Sequence, residues 1–229
     1  MPTNSDINKL VKCLDGLPNT PRKTKNTFNT APLKLLDCVL SLNRDYYSFD
    51  VPRVTKFQNS HPDIDTLSKL YEYVLSTGGR VRFYQTELDY DYPDAADMFG
   101  RVLDYLVNET NKYPGNTEME KCRNWAMSVK VDGYKNIFHG KNIPLFGIAG
   151  WQYLRMLFGA DTCKPDIAVE RFVKDCLGKG FTHINTVRLL ESAARITPSL
   201  KQHSQPVREA DHRIWRQYNM NKQTNQACH

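Results

Sequence analysis

The sequence has no CxxC pair, no long apolar run and almost no alternating strand pattern. Its cysteines, Cys13, Cys38, Cys122, Cys163, Cys176 and Cys228, are scattered, and no four have the spacing of a zinc or iron–sulfur site. No metal and no cofactor is expected, and the thiols read as reduced packing residues, with Cys38, Cys122 and Cys176 on apolar stripes. The apolar runs fall far short of the roughly 20 residues that cross a bilayer. Residues 1–10 are polar and lack the apolar core of a secretory signal. No membrane contact and an intracellular location are therefore expected. Internal repeats and low-complexity tracts are also missing.

What is present is a soluble composition, with 40% hydrophobic residues and a mean hydropathy of −0.58. That is enough apolar material for one large domain or two small lobes. The net charge of +6 permits a polyanionic partner without demanding one. Residues 1–30 are polar and carry Arg22-Lys23-Thr24-Lys25, which reads as a solvated N-terminal arm. From Leu33 onward apolar residues recur at helical spacing. The stripes are Leu33/Leu36/Val39/Leu40, Leu67/Leu70/Tyr71/Val74, Met98/Val102/Tyr105/Leu106 and Met119/Cys122/Ala126/Val129. They continue as Val169/Phe172/Val173/Cys176, Val187/Leu190/Ala194 and Val207/Ala210/Ile214/Tyr218. Gly78-Gly79 ends the second of these helices and Pro206 starts the last. Residues 80–86 alternate weakly through Val81 and Phe83, predicting a short strand or extended loop. The acidic-aromatic stretch 87–94 reads as a loop before a helix.

The segment 141–173, KNIPLFGIAGWQYLRMLFGADTCKPDIAVERFV, carries the chemistry. Gly147 and Gly150 bracket a tight turn from which a helix starts at Trp151. Backbone amides at such a start point outward and suit a phosphate. Near Gly159 that helix ends, and Lys164-Pro165-Asp166 opens another. Asp166 then sits where helix N-terminal amides stabilise an anion. A plain N-cap is the competing reading of the same residue.

The order turn, helix, short loop, aspartate-headed helix resembles the helix-hairpin-helix DNA glycosylase superfamily. Phe146-Gly147-Ile148-Ala149 is similar to the family's hairpin, with Ala149 where a second glycine is usual. Residues 164–172 are similar to the segment holding its catalytic aspartate. Residues 35–43 are similar to an early helix ending in Ser and an amide residue, and Asp211-His-Arg-Ile-Trp215 to a late helix. The resemblance implies an all-α fold of two helical lobes with a central cleft. It sets boundaries at 1–30 for the arm, 31–218 for the glycosylase-like domain and 219–229 for a polar tail, with the hairpin at 141–158 and the aspartate helix at 166–177.

It further implies residue roles. Asp166 is the catalytic carboxylate. Lys141, Gly147, Ala149 and Gly150 hold a DNA phosphate. Asn43 fills the gap left by an extruded base. Trp151 and Gln152 stand at the base pocket or where bifunctional relatives carry a nucleophilic lysine, and for Trp151 the alternative is a buried core indole. With no lysine between Lys141 and Lys164 and no four-cysteine cluster, the resemblance implies a monofunctional enzyme, closest in type to 3-methyladenine DNA glycosylase II. The expected partner is double-stranded DNA, bound by a monomer, in the cytoplasm and at the nucleoid of a prokaryote or in a eukaryotic nucleus. The target is an alkylated, deaminated or bulky modified base, the last suggesting defence against phage. Two readings compete with it: a helix-hairpin-helix DNA-binding module without base excision, and a helical adaptor unrelated to DNA.

Overall fold

The computed structural model describes residues 2–19, 28–134 and 143–227, the side chains to residue 218. Every regular element among them is helical, so the chain is all-α as expected. It divides into two compact units, residues 24–160 and residues 1–23 with 161–229.

The unit 24–160 is organised around α2 (Ala31–Leu40), in which every residue except Lys34 is buried. A helix that is apolar all round belongs inside, and α2 packs against neighbours on all sides. These are α3 (Val51–Ser60), α4 (Leu67–Ser76), α6 (Pro93–Glu109), α7 (Glu118–Ser128) and α8 (Ile148–Leu157). Local chemistry sets their ends. Thr66 caps α4 by accepting from the Lys69 amide, and Gly78 (φ 96°) and Gly79 (φ 98°) end it in a backbone conformation only glycine adopts freely. Thr117 and Glu120 close a capping box on α7. Proline in the first turn starts α6.

The expected strand or extended loop at residues 80–86 is instead α5 (Arg80–Thr86). Alternation would bury Val81 with Phe83, but Val81 is exposed and the adjacent pair Phe83 and Tyr84 is buried. A strand sends neighbours to opposite faces, so one buried face can hold both rings only on a helix. Phe83 stacks on Phe99 of α6, centroids 5.4 Å apart and planes 11° apart.

In the other unit, the expectation of a solvated arm is corrected for residues 3–17. Thr3 and Asp6 form a capping box at the head of α1 (Asn4–Asp15), and Leu10, Leu14 and Leu17 are buried. A polar sequence with leucines at this spacing has one apolar stripe, enough to dock a helix. That stripe packs on α9 (Ile167–Leu177) and α10 (His183–Ile196). The basic stretch 22–25 lies outside the described residues. α11 (Pro206–Ala227) packs on α9 and α10 and runs on through most of the expected tail. Of the cysteines expected on apolar stripes, Cys38 and Cys122 are buried free thiols and Cys176 is only half-buried; Cys163 is buried as well.

α1 is tied to its unit by the Asp6 carboxylate, 2.9 Å from the Lys179 ammonium. The Lys179 bond first, then those from the Thr3 amide and hydroxyl, hold the Asp6 carboxyl down at about 2. A carboxyl held down in the folded state contributes stability that is present above its ordinary value of 3.8 and is lost as pH falls through about 2. Asp6→Asn is therefore expected to melt below the wild type at pH 7, with the gap closing between pH 4 and pH 2; a gap independent of pH in thermal scans would contradict this.

Candidate active-site segment

The turn before α8 is built by Phe146, whose amide donates to the Ile143 carbonyl at 3.1 Å. Leu145 adopts φ 65°, and the Tyr134 hydroxyl donates to the Phe146 carbonyl. Gly147 is the N-cap of α8 with no side-chain cap, and a Cβ added there would meet nothing within 4 Å. Gly147 is exposed, so the head of α8 is open at that residue, as an anion site at a helix N-terminus must be. Ala149 is half-buried. Gly150 is small for a different reason: a Cβ there would lie 2.9 Å from the Phe146 ring and 3.2 Å from Leu42. Its carbonyl accepts from the buried Cys38 thiol of α2 at 3.4 Å. Gly150 is therefore a packing residue joining α8 to α2 rather than part of the open turn. Lys141 and Asn142 lie outside the described residues, as does His139.

Trp151 does not face a base pocket. It is fully buried, edge-on to Trp125 at 5.2 Å and beside Tyr105 at 6.1 Å and Tyr134 at 6.4 Å. An indole offers more apolar area than a helix face can leave in water, and here an aromatic cluster absorbs it. Gln152 is equally buried; its carbonyl oxygen accepts from Arg155, whose Nε donates to the Ala126 carbonyl. Trp151 thus takes the core reading, and the base-pocket expectation for Gln152 is corrected by its burial. Asn43 is exposed, at φ 58° just past the Ser41 cap of α2.

Asp166 lies in the other unit, at the end of a loop pinned along its length. Asp161 Oδ1 accepts from the amides of Val207 and Arg208 and so caps α11. The Thr162 hydroxyl donates to Glu191 at 2.7 Å. The Lys164 amide donates to Asp211 at 2.8 Å. Between them Cys163 is fully buried. Burial first, then the carboxylates of Asp211, Glu191, Asp166 and Asp161, push its thiol well above the ordinary range, so it stays protonated. Pro165 is buried and directs the chain into α9.

The Asp166 carboxylate is half-buried. Its Oδ1 accepts from the Ala168 amide at 3.0 Å and the Val169 amide at 3.2 Å. Both bonds fall on one oxygen; among the described residues Oδ2 has none. The neighbouring Ile167 is 72% exposed. Further along α9, Glu170 pairs with His183 at 2.8 Å, and Arg171 is an exposed residue 3.9 Å from Asp175. No three His, Cys, Asp or Glu residues among those described are grouped to hold a metal ion. Nor is any helix among them long and apolar enough to cross a membrane.

Residues 145–219 match the family model described as Domain of unknown function (DUF8548). The match takes in the head of α8, the pinned loop and the Asp166 cap. No curated protein and no solved structure matches the chain.

Two stability results are expected. Asp166→Ala removes an N-cap and should cost about 1 kcal/mol, while Asp166→Asn, an equally good cap, should stay within a few tenths; equal losses in denaturant titrations would contradict the cap geometry. Gly150→Ala should cost about 1–3 kcal/mol through overpacking against Phe146. A neutral outcome would show that this contact is loose.

Proposed function

We propose that the chain is a monofunctional DNA glycosylase of the helix-hairpin-helix kind, hydrolysing the N-glycosidic bond of a damaged or modified base extruded from duplex DNA. What carries the reading is the half-buried Asp166, with one oxygen bound by two amides of α9 and the other without a bond among the described residues. A base leaves a deoxyribose when the C1′–N bond breaks and takes the electron pair with it. The sugar then carries oxocarbenium character until water adds at C1′ and releases a proton. A carboxylate that cannot rotate away stabilises that cation more than it stabilises the neutral ground state. The pinned loop supplies the rigidity, and the open head of α8 supplies the phosphate grip that sets register without reading sequence.

The absence of lysine between Lys141 and Lys164, with Trp151 buried at the corresponding position, removes the amine that a bifunctional enzyme uses. An abasic site is then the product. Double-stranded DNA is the partner, the protein acts as a monomer, and it works where DNA is, at the nucleoid or in the nucleus.

A second reading is favoured by one observation. With Trp151 and Gln152 buried, neither is free to contact an extruded base, and a DNA-binding module without excision needs no such contact.

The test is base release from duplexes carrying alkylated, deaminated or bulky modified bases. Wild type should release at least one class and leave the strand uncut until alkali is added. Asp166→Asn should lower that rate by roughly 100- to 1,000-fold while folding and binding DNA normally. Release unaffected by the substitution, or DNA binding without release across all classes, would overturn the enzyme reading.

A further inference from the structure

Among the described residues, three other than glycine hold a left-handed backbone: Asn43 (φ 58°), Asp89 (φ 49°) and Leu145 (φ 65°). They come from three separate stretches of the unit 24–160. Asn43 and Leu145 nevertheless line one pocket, and Asp89 immediately precedes Tyr90, which lines it too. Asn and Asp adopt this conformation readily, whereas for Leu145 it is strained, and strain of that kind collects where function holds the backbone in place.

The pocket is an open-mouthed cavity of about 100 Å³. Val39, Leu40, Ala95 and Met98 give it a buried apolar lining. Tyr90 and Tyr92 add two ring faces, centroids 5.9 Å apart and tilted by 48°. Tyr90 is held from behind by Tyr84, stacked at 5.9 Å, and by Phe49, edge-on at 4.9 Å. Arg44 is exposed yet fixed: one NH donates to the Tyr90 hydroxyl at 2.9 Å and another to the Asn43 carbonyl at 3.1 Å. Its guanidinium carbon stands 5.7 Å from the Tyr90 centroid. Leu145 adds a half-exposed apolar side chain and Asn43 an exposed amide.

An apolar lining, tyrosine faces, a fixed cation and an amide suit a planar heterocycle bearing an anionic group. The rings stack on the heterocycle, the amide reads its edge, and the guanidinium takes the anion. We propose that this pocket holds one unpaired nucleotide of a DNA strand, its base against Tyr90 and Tyr92 and its phosphate at Arg44. The choice of DNA as the source rests on the function proposed above; base excision itself is not required. A fully paired duplex offers no free ring face, so the pocket favours DNA with a base out of its pair.

The test is binding of three probes at one salt concentration: a paired duplex, the same duplex with a single-nucleotide bulge, and free dAMP. Wild type should bind the bulged duplex roughly tenfold or more tighter than the paired one. Tyr92→Ala and Arg44→Ala should each remove most of that preference and leave paired-duplex binding nearly unchanged. Leu145→Gly separates the pocket from mere folding: glycine accepts the left-handed backbone without strain, so the melting temperature should hold or rise while the preference falls. Equal binding of bulged and paired duplex by wild type would overturn the proposal, as would a preference that survives all three substitutions. Tight binding of free dAMP without a bulge preference would overturn the strand as the source. Base release without any bulge preference would sink this inference alone, and a bulge preference without base release would sink excision alone.

Discussion

Two backbone amides, those of Ala168 and Val169, hold one oxygen of Asp166, and the functional reading rests on that grip. The amides belong to the first turn of α9, where they have no partner within the helix. In capping the helix, the carboxylate gains a fixed direction. A floating carboxylate pays in reorganisation whenever a cation develops near it; one held by its own helix does not. Capping and catalysis are therefore compatible uses of one side chain, because the cap consumes a single oxygen.

The loop behind Asp166 explains why the grip is stable. Asp161, Thr162 and Lys164 each bond to a group 29 to 47 residues further along the chain. Cys163 fills the space between them as a buried, protonated thiol surrounded by carboxylates. This places strong demands on α10 and α11, which provide Glu191, Asp211 and the capped amides. The family match from 145 to 219 ends only after these partners.

Much of this was legible in the sequence, and the reason for the rest is physical. Helical periodicity located the stripes of α2, α4, α6, α7, α9, α10 and α11, because burial of a repeating face leaves a mark within a dozen residues. α5 was missed because seven residues are too few to separate period 2 from period 3.6, and its packing on Phe99 is a tertiary fact. α1 was missed because its apolar stripe is thin within a polar stretch, although Thr3 and Asp6 spell a capping box. Asp166 as a helix cap followed from Pro165 and the stripe behind it. The tethers Asp161, Glu191 and Asp211 could not be read locally, since their partners are distant in sequence. Trp151 is in the core because aromatic neighbours from α6 and α7 converge on it, and Gln152 because Arg155 bonds it there, which no spacing along one helix reveals. The resemblance gives Gly150 to the phosphate-holding turn, but its missing side chain makes room for Phe146 and Leu42.

The two units carry different chemistry. The unit 1–23 with 161–229 presents an anion fixed by a helix, and the unit 24–160 presents an open helix head and a pocket whose lining includes two left-handed residues, Asn43 and Leu145. The central claim is that Asp166 stabilises positive charge on a sugar. The most direct measurement compares affinity for a duplex bearing a cationic pyrrolidine abasic analogue with that for the same duplex bearing neutral tetrahydrofuran. Wild type should prefer the cation by roughly 100-fold or more, and Asp166→Asn should bind the two alike. A wild type indifferent to the charge, or a preference that survives the substitution, would contradict it.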